Sequence, residues 1–283
     1  MRGRALICLL TALLLFQGCS DPERVDEVSP PLTNSFMLPG SGECIADSET
    51  LQLKAGDAVF CGPLEAGAAE KIVASFRQFE AQRLYFSSPG GFSEEAIRLA
   101  SDLDNAGIAL HLFGECLSAC AQFLLSGVND ITVEPETLIG FHHTASAHLE
   151  LLDRSGLAVS QEVSGVLLRQ SGMENAFYQA QGIDPQLLTT PYRELVPECI
   201  EDVSTARIRV RARWIMWTPS RDFIDAMRPV PIKGWWPSDR YDHLRTVAAR
   251  YPSVEMPQSF RFQNDAGFGA GRKMTTVGWC DTW

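Results

Sequence analysis

Between residues 58 and 141 short apolar runs alternate with helical patterns, and this alternation constrains the fold more than any other feature of the chain. Ala58-Val59-Phe60-Cys61 reads as a strand closed by Gly62-Pro63, and Glu65 to Glu80 carries Ile72, Val73, Phe76 and Phe79 at helical spacing. Leu84-Tyr85-Phe86 is a second strand, broken by Ser88-Pro89-Gly90-Gly91, after which Glu94 to Asn105 places Ile97, Ala100 and Leu103 on one helical face. Ile108 to Phe113 is a third strand, Leu117 to Leu125 a short buried helix, and Ile131 to Val133 and Leu138 to Phe141 are further strands. Repeated strand-helix crossovers predict an α/β domain built on a mainly parallel sheet with flanking helices.

Val159 to Gln181 predicts a longer helix, ended by Gly182 and the Asp184-Pro185 turn. Beyond Thr190 the texture changes, since this stretch holds all six Trp, clusters of Pro and a glycine-rich run at 266–271. The organisation expected is an α/β domain over 46–190 and a small C-terminal extension of mixed structure over 191–283. The glycine run lacks the preceding strand and following helix of a phosphate cradle and reads as a loop.

The N-terminus carries an address. Ala5 to Phe16 is apolar and follows Arg2 and Arg4; at 12 residues it is too short to span a bilayer and fits the core of a signal peptide over 1–18. It closes on Phe16-Gln17-Gly18-Cys19, which resembles the lipobox of bacterial lipoproteins, although Phe16 and Gln17 depart from the favoured Leu and small residue. That resemblance implies lipidation at Cys19 and a membrane anchor, and Ser20 after the cysteine implies the outer membrane, facing the periplasm. An ordinary secretory cleavage nearby is the other reading. Residues 19–45, polar or Pro-rich over Asp21 to Asn34, read as a tether.

Cysteine usage agrees with export. Cys8 leaves with the signal and Cys19 is lipidated, so Cys44, Cys61, Cys116, Cys120, Cys199 and Cys280 remain. An even remainder in an exported chain points to disulfides. Proximity to the ends of the two regions suggests Cys44 with Cys61 and Cys199 with Cys280; Cys116 with Cys120 requires a helix that starts between them. Zinc is not expected: the gap from Cys120 to His143 far exceeds the roughly 12 to 15 residues of a finger that would also use His143 and His148. With 24 Lys plus Arg against 35 Asp plus Glu, the net charge of −11 argues against nucleic acid as a partner.

Three segments carry chemistry. Ser87-Ser88-Pro89-Gly90-Gly91 lies between a strand and a helix, where paired glycines let backbone amides approach a ligand. Gly114 to Cys120 places Ser118 at a helix start after an apolar strand, where free amides favour a developing anion. Ile139-Gly140-Phe141-His142-His143 ends another strand with two imidazoles able to accept a proton from a serine. Singly, each is an ordinary turn, N-cap or structural histidine.

Together, in this order, they resemble the Clp protease proteolytic subunit family and its exported relatives in the ClpP/crotonase superfamily, over roughly Val59 to Leu188. The 24-residue interval from Ser118 to His142 and Pro135 seven residues before His142 support the match. The resemblance implies Ser118 as nucleophile, His142 as general base, the amides of Gly91 and Ala119 as oxyanion hole, and Gly90 as support of that loop. The Cys-x-Ser-Ala-Cys form resembles the exported, ATPase-independent branch. The family's third member, an acid after the long helix, has no match by motif; Asp184, Glu194, Asp202 and Asp222 lie in the right part of the chain, and a Ser/His dyad is the remaining arrangement. A Ser/Lys dyad is excluded, because no Lys occurs between Glu80 and Pro229. The implied function is a cell-envelope serine hydrolase acting on peptides or proteins without a cofactor or metal. The alternative is an inactive relative serving as a binding or scaffold lipoprotein. Oligomerisation is left open.

Overall fold

The computed structural model of the chain describes residues 36–37, 43–44, 50–54, 56–135, 137–204, 207–236, 260–263 and 276–280. The expected signal peptide, Cys19, most of the tether and the glycine run lie outside these residues.

Two short strands, β1 (Phe36–Met37) and β2 (Glu43–Cys44), form an antiparallel ribbon. The main sheet begins with β3 (Thr50–Lys54), antiparallel to β4 (Asp57–Cys61), all of whose residues are buried, as expected of a strand covered on both faces. From β4 the chain crosses through α1 (Ala68–Phe79) to β5 (Arg83–Ser88), and through α2 (Ser93–Ala106) to β6 (Ala109–Leu117), each strand parallel to the last. Ile72 and Phe76 of α1 and Ala100 and Leu103 of α2 are buried as the sequence pattern expects, while the buried face of α2 is centred on Ala96 and Leu99 and Ile97 is only partly buried. A π-helix (Cys120–Leu125), wholly buried, stands where a short helix was expected.

The next two strands are both parallel to β6 but pair with different halves of it. β7 (Ile131–Val133) pairs with Leu110 to Leu112, and β8 (Leu138–Gly140) pairs with Glu115 to Leu117. Gly114, at φ 62°, separates the halves. Three helices follow, α3 (Ala145–Ser155), α4 (Gln161–Gln181) and α5 (Gln186–Leu195), with Gly182 ending α4 in the left-handed conformation.

Residues beyond 195 form β9 (Pro197–Ser204) and β10 (Arg207–Ala212), an antiparallel pair, then β11 (Met216–Thr218), α6 (Arg221–Met227), β12 (Lys233–Gly234), β13 (Phe260–Phe262) and β14 (Gly278–Trp279). β12 joins the main sheet beside β7, giving the order β12-β7-β6-β5-β4-β3 with β8 also on β6. Trp217, Ile224, Ile232 and Trp236 are buried in the same core as β4, β5 and β6. A second cluster unites Leu151, Leu152, Val163 and Tyr192 with Ile200 and Val210 of the β9-β10 pair. Burial of these side chains, at about 25 cal/mol for each Å² of apolar surface removed from water, is what joins the later strands to the sheet.

Two disulfides have both partners among the described side chains, Cys116–Cys120 and Cys199–Cys280. The first becomes feasible because the helix starts at Cys120, so that Cys116 still belongs to β6. Cys61 is disulfide-bonded as well, and its expected partner Cys44 has a side chain outside the described set. Among the described residues no helix is long and apolar enough to cross a membrane.

Candidate active site

The three sequence segments converge at the carboxyl ends of the parallel strands, where open α/β sheets place their ligands. Cys116 is the pivot: it pairs across β6 with Ser88 of β5 on one side and with Ile139 of β8 on the other. The glycine loop, the serine turn and the histidine strand therefore leave the sheet as neighbours.

Ser118 follows at once, half-buried, with φ 55°. A left-handed non-glycine residue is strained by about 1–2 kcal/mol and persists only where its surroundings hold it. The Ser118 amide donates to Gly140 O at 2.8 Å, and Ser118 O accepts from the Gln122 amide at 2.9 Å. Gly90 occupies the remaining side: a Cβ there would come within 2.5 Å of Ser118 Cβ and 2.7 Å of Leu117 O.

The imidazole Nε2 of His142 lies 2.5 Å from Ser118 Oγ. Main-chain ties aim this ring. Gln122 Nε2 donates to the His142 carbonyl at 2.6 Å, and Tyr178 Oη donates to Gln122 O at 2.8 Å. Two residues on, Thr144 caps α3 and donates to Leu188 O at 2.8 Å, while the buried Glu174 carboxylate accepts from the amides of Ala145 and Ser146 at 2.9 Å each. Burial pushes the His142 pKa down to about 4, opposed by its hydrogen bond with the His143 main chain, so the ring is neutral at pH 7, with its protonated form disfavoured until a charge develops beside it.

The Gly91 amide is turned away from the neighbouring chain. The bridge between Leu64 and Gly91 uses Gly90 O and the Phe92 amide, the groups on either side, so the Gly91 N–H points away from Leu64. Ala119 stands just before the π-helix, where first-turn amides lack intrahelical acceptors. Neither amide has an acceptor among the described residues.

No carboxylate joins His142 among the described residues. Asp184 accepts from the Gln186 amide at the start of α5, Glu194 is buried against Arg261, and Asp222 sits in the first turn of α6; the Asp202 side chain lies outside the described set. The ring has other neighbours instead. His143 packs at 5.8 Å from His142, and the Tyr192 ring lies tilted against His143 at 4.5 Å with His148 alongside. His143 Nε2 and Tyr192 Oη are buried and have no hydrogen-bond partner among the described residues. Gln122 and this aromatic cluster escape a sequence reading; the one signal for Gln122 is a polar residue within the buried run Cys120 to Leu125. A cavity of about 700 Å³, lined in part by Asn175, Asp184 and Arg228, includes neither Ser118 nor His142.

No family model matches the sequence, and no curated protein does. Among solved structures the chain is similar to a ClpP1 point mutant from Listeria monocytogenes, at 15% identity and a TM-score of 0.35, over 48% of this chain and 79% of that one.

Proposed function

We propose that this chain is a serine hydrolase of ClpP-like type that cleaves peptides or proteins in the cell envelope, held there by a lipid on Cys19. The observation that carries the reading is the 2.5 Å contact between Ser118 Oγ and His142 Nε2, with Ser118 held in a left-handed turn.

In the first step His142 Nε2 takes the Ser118 hydroxyl proton as Oγ attacks the substrate carbonyl carbon. The carbonyl π electrons move to oxygen, and the resulting anion meets the Gly91 and Ala119 amides. His142 then returns the proton to the leaving amine, the C–N bond breaks, and Ser118 is left acylated. Water, deprotonated by the same imidazole, hydrolyses the ester and restores the serine. With no carboxylate on His142 among the described residues, the imidazolium is stabilised by main-chain groups and the oxyanion, and slow turnover is expected; in the best-studied triad, disabling the acid costs about 10⁴-fold in kcat.

An active-site fluorophosphonate tests the reading. It should label the wild-type protein at Ser118, and Ser118→Ala and His142→Ala should each abolish labelling while the circular dichroism spectrum is kept. A folded wild-type protein that does not label would instead favour the binding-lipoprotein reading, which the lack of a carboxylate on His142 among the described residues supports. For the anchor, Cys19→Ala should release the protein from the membrane fraction or leave it unprocessed; unchanged membrane binding and an unchanged N-terminus would remove lipidation from the account.

A further inference from the structure

The five residues Cys116 to Cys120 form a ring closed by a disulfide, with Ser118 at its centre. The two ends belong to different elements: Cys116 is fixed in β6 between Ser88 and Ile139, and Cys120 opens the π-helix. Between them the chain reverses through the left-handed Ser118. Hydrogen bonds hold the Ser118 N–H and C=O, but the Ala119 amide, needed to point at an oxyanion, has no acceptor among the described residues.

Two physical arguments bear on what this cross-link does. The loop-closure gain of a disulfide grows with the length of chain enclosed, so Cys116–Cys120 at a separation of four contributes far less to global stability than Cys199–Cys280 at 81. Exchange chemistry needs access for an attacking thiolate, yet Cys116 and Cys120 are both completely buried. Neither bulk stabilisation nor a redox-exchange role accounts for the bond; its effect is local.

We propose that the Cys116–Cys120 disulfide is a positioning device for the nucleophile. It locks the turn so that Ser118 Oγ stays on His142 and the Ala119 amide stays aimed at the reacting carbonyl. The inference rests on the hydrolase reading for its effect on rate, and on geometry alone for its effect on the Ser118–His142 contact.

The test compares the full exported protein with two double variants at the site, Cys116→Ala/Cys120→Ala and Cys116→Val/Cys120→Ala, and with Cys199→Ala/Cys280→Ala as control. Three quantities are read: the rate of fluorophosphonate labelling, the imidazole 15N chemical shifts of His142, and Tm. The site variants should label about 100-fold more slowly, the loss expected of a misplacement near 1 Å. Their His142 Nε2 shift should move away from its hydrogen-bonded value, and their Tm should fall less than in the control, which labels like wild type. Labelling within twofold of wild type overturns the proposal and leaves the hydrolase reading intact. If the wild type itself does not label, the hydrolase reading falls, and the His142 shift then decides: a shift unchanged in the site variants overturns the positioning role, and a changed shift supports it. A Tm loss larger than in the control, or failure to fold, makes the bond a stability element and overturns the proposal as well.

Discussion

Gly90 stands against Ser118 with no room for a side chain, because a Cβ at position 90 would sit 2.5 Å from Ser118 Cβ and 2.7 Å from Leu117 O. Its φ of 102° is one that L residues rarely adopt. Gly90→Ala therefore meets both backbone strain and an immovable neighbour, and a loss of about 2–5 kcal/mol is expected, together with loss of fluorophosphonate labelling. Gly107→Ala is the comparison, since Gly107 has φ 64° but open space around a Cβ. It should cost only about 1–2 kcal/mol and leave labelling unchanged. Urea denaturation of the two variants checks the order.

The imidazoles beside Ser118 set a direction for pH dependence. Burial takes His142 and His148 to about 4 and His143 well below its ordinary 6.5. As pH falls below about 6.5 the unfolded chain binds protons at these positions and the folded chain does not. Stability from these groups is thus complete above pH 6.5 and declines as pH is lowered toward 4. Tm measured from pH 7.5 to 4.5 should fall across that window, and His143→Phe should flatten the fall. The labelling rate, which needs neutral His142, should keep its plateau below pH 6 and drop only near pH 4; a drop centred at 6.5 would mean that His142 is not shielded as the structure has it.

Much of this was legible because periodicity is a local property. The order from β4 to β6 follows from Ile72, Val73, Phe76 and Phe79, then Ile97, Ala100 and Leu103, at helical spacing between short apolar runs; the structure buries Ile72, Phe76, Ala100 and Leu103 and leaves Val73, Phe79 and Ile97 partly buried against the same core. The contact between Ser118 and His142 matches what the family resemblance of three segments in order implies, and neither residue singles itself out alone. Other features depend on contacts that no window contains. Ala145–Ser155 is a helix whose buried positions are few, Ala145, Ala147, Leu151 and Leu152, and it is fixed at its start by Glu174 from another helix. The alternation Arg207-Ile208-Arg209-Val210-Arg211 is a strand pattern in plain view, absorbed by the broader impression of a mixed extension. The left-handed conformation of Ser118 has no sequence signature of its own, and the aiming of His142 is spread over Gln122, Thr144 and Glu174 rather than carried by one acid.

Gln122 makes that last point testable. Its side-chain amide holds the His142 carbonyl at 2.6 Å from within the π-helix that begins two residues after Ser118. Gln122→Met keeps the volume and removes the donor, leaving a buried carbonyl unsatisfied at a cost of about 1–3 kcal/mol. Labelling should slow by about 10- to 100-fold, with the acid limb of its pH profile displaced because the ring is less firmly seated. A variant that loses stability but labels at the wild-type rate with the same profile would make Gln122 a packing residue only.

Two buried tyrosines give opposite expectations for the same substitution. Tyr178 is fully buried and its hydroxyl donates to Gln122 O at 2.8 Å, so Tyr178→Phe removes a made hydrogen bond and should destabilise the protein by about 1 kcal/mol. Tyr192 is equally buried, its ring tilted against His143, but its hydroxyl has no partner among the described residues. An unpaired hydroxyl in the interior carries its desolvation cost without return, so Tyr192→Phe should leave stability unchanged or raise it by about 1 kcal/mol, with the ring contact to His143 preserved. Denaturant midpoints measured side by side separate the two cases. If Tyr192→Phe instead destabilises the fold as much as Tyr178→Phe does, the Tyr192 hydroxyl has a hydrogen-bond partner in solution, and the cluster behind His142 is a wet polar network in place of a dry aromatic wall.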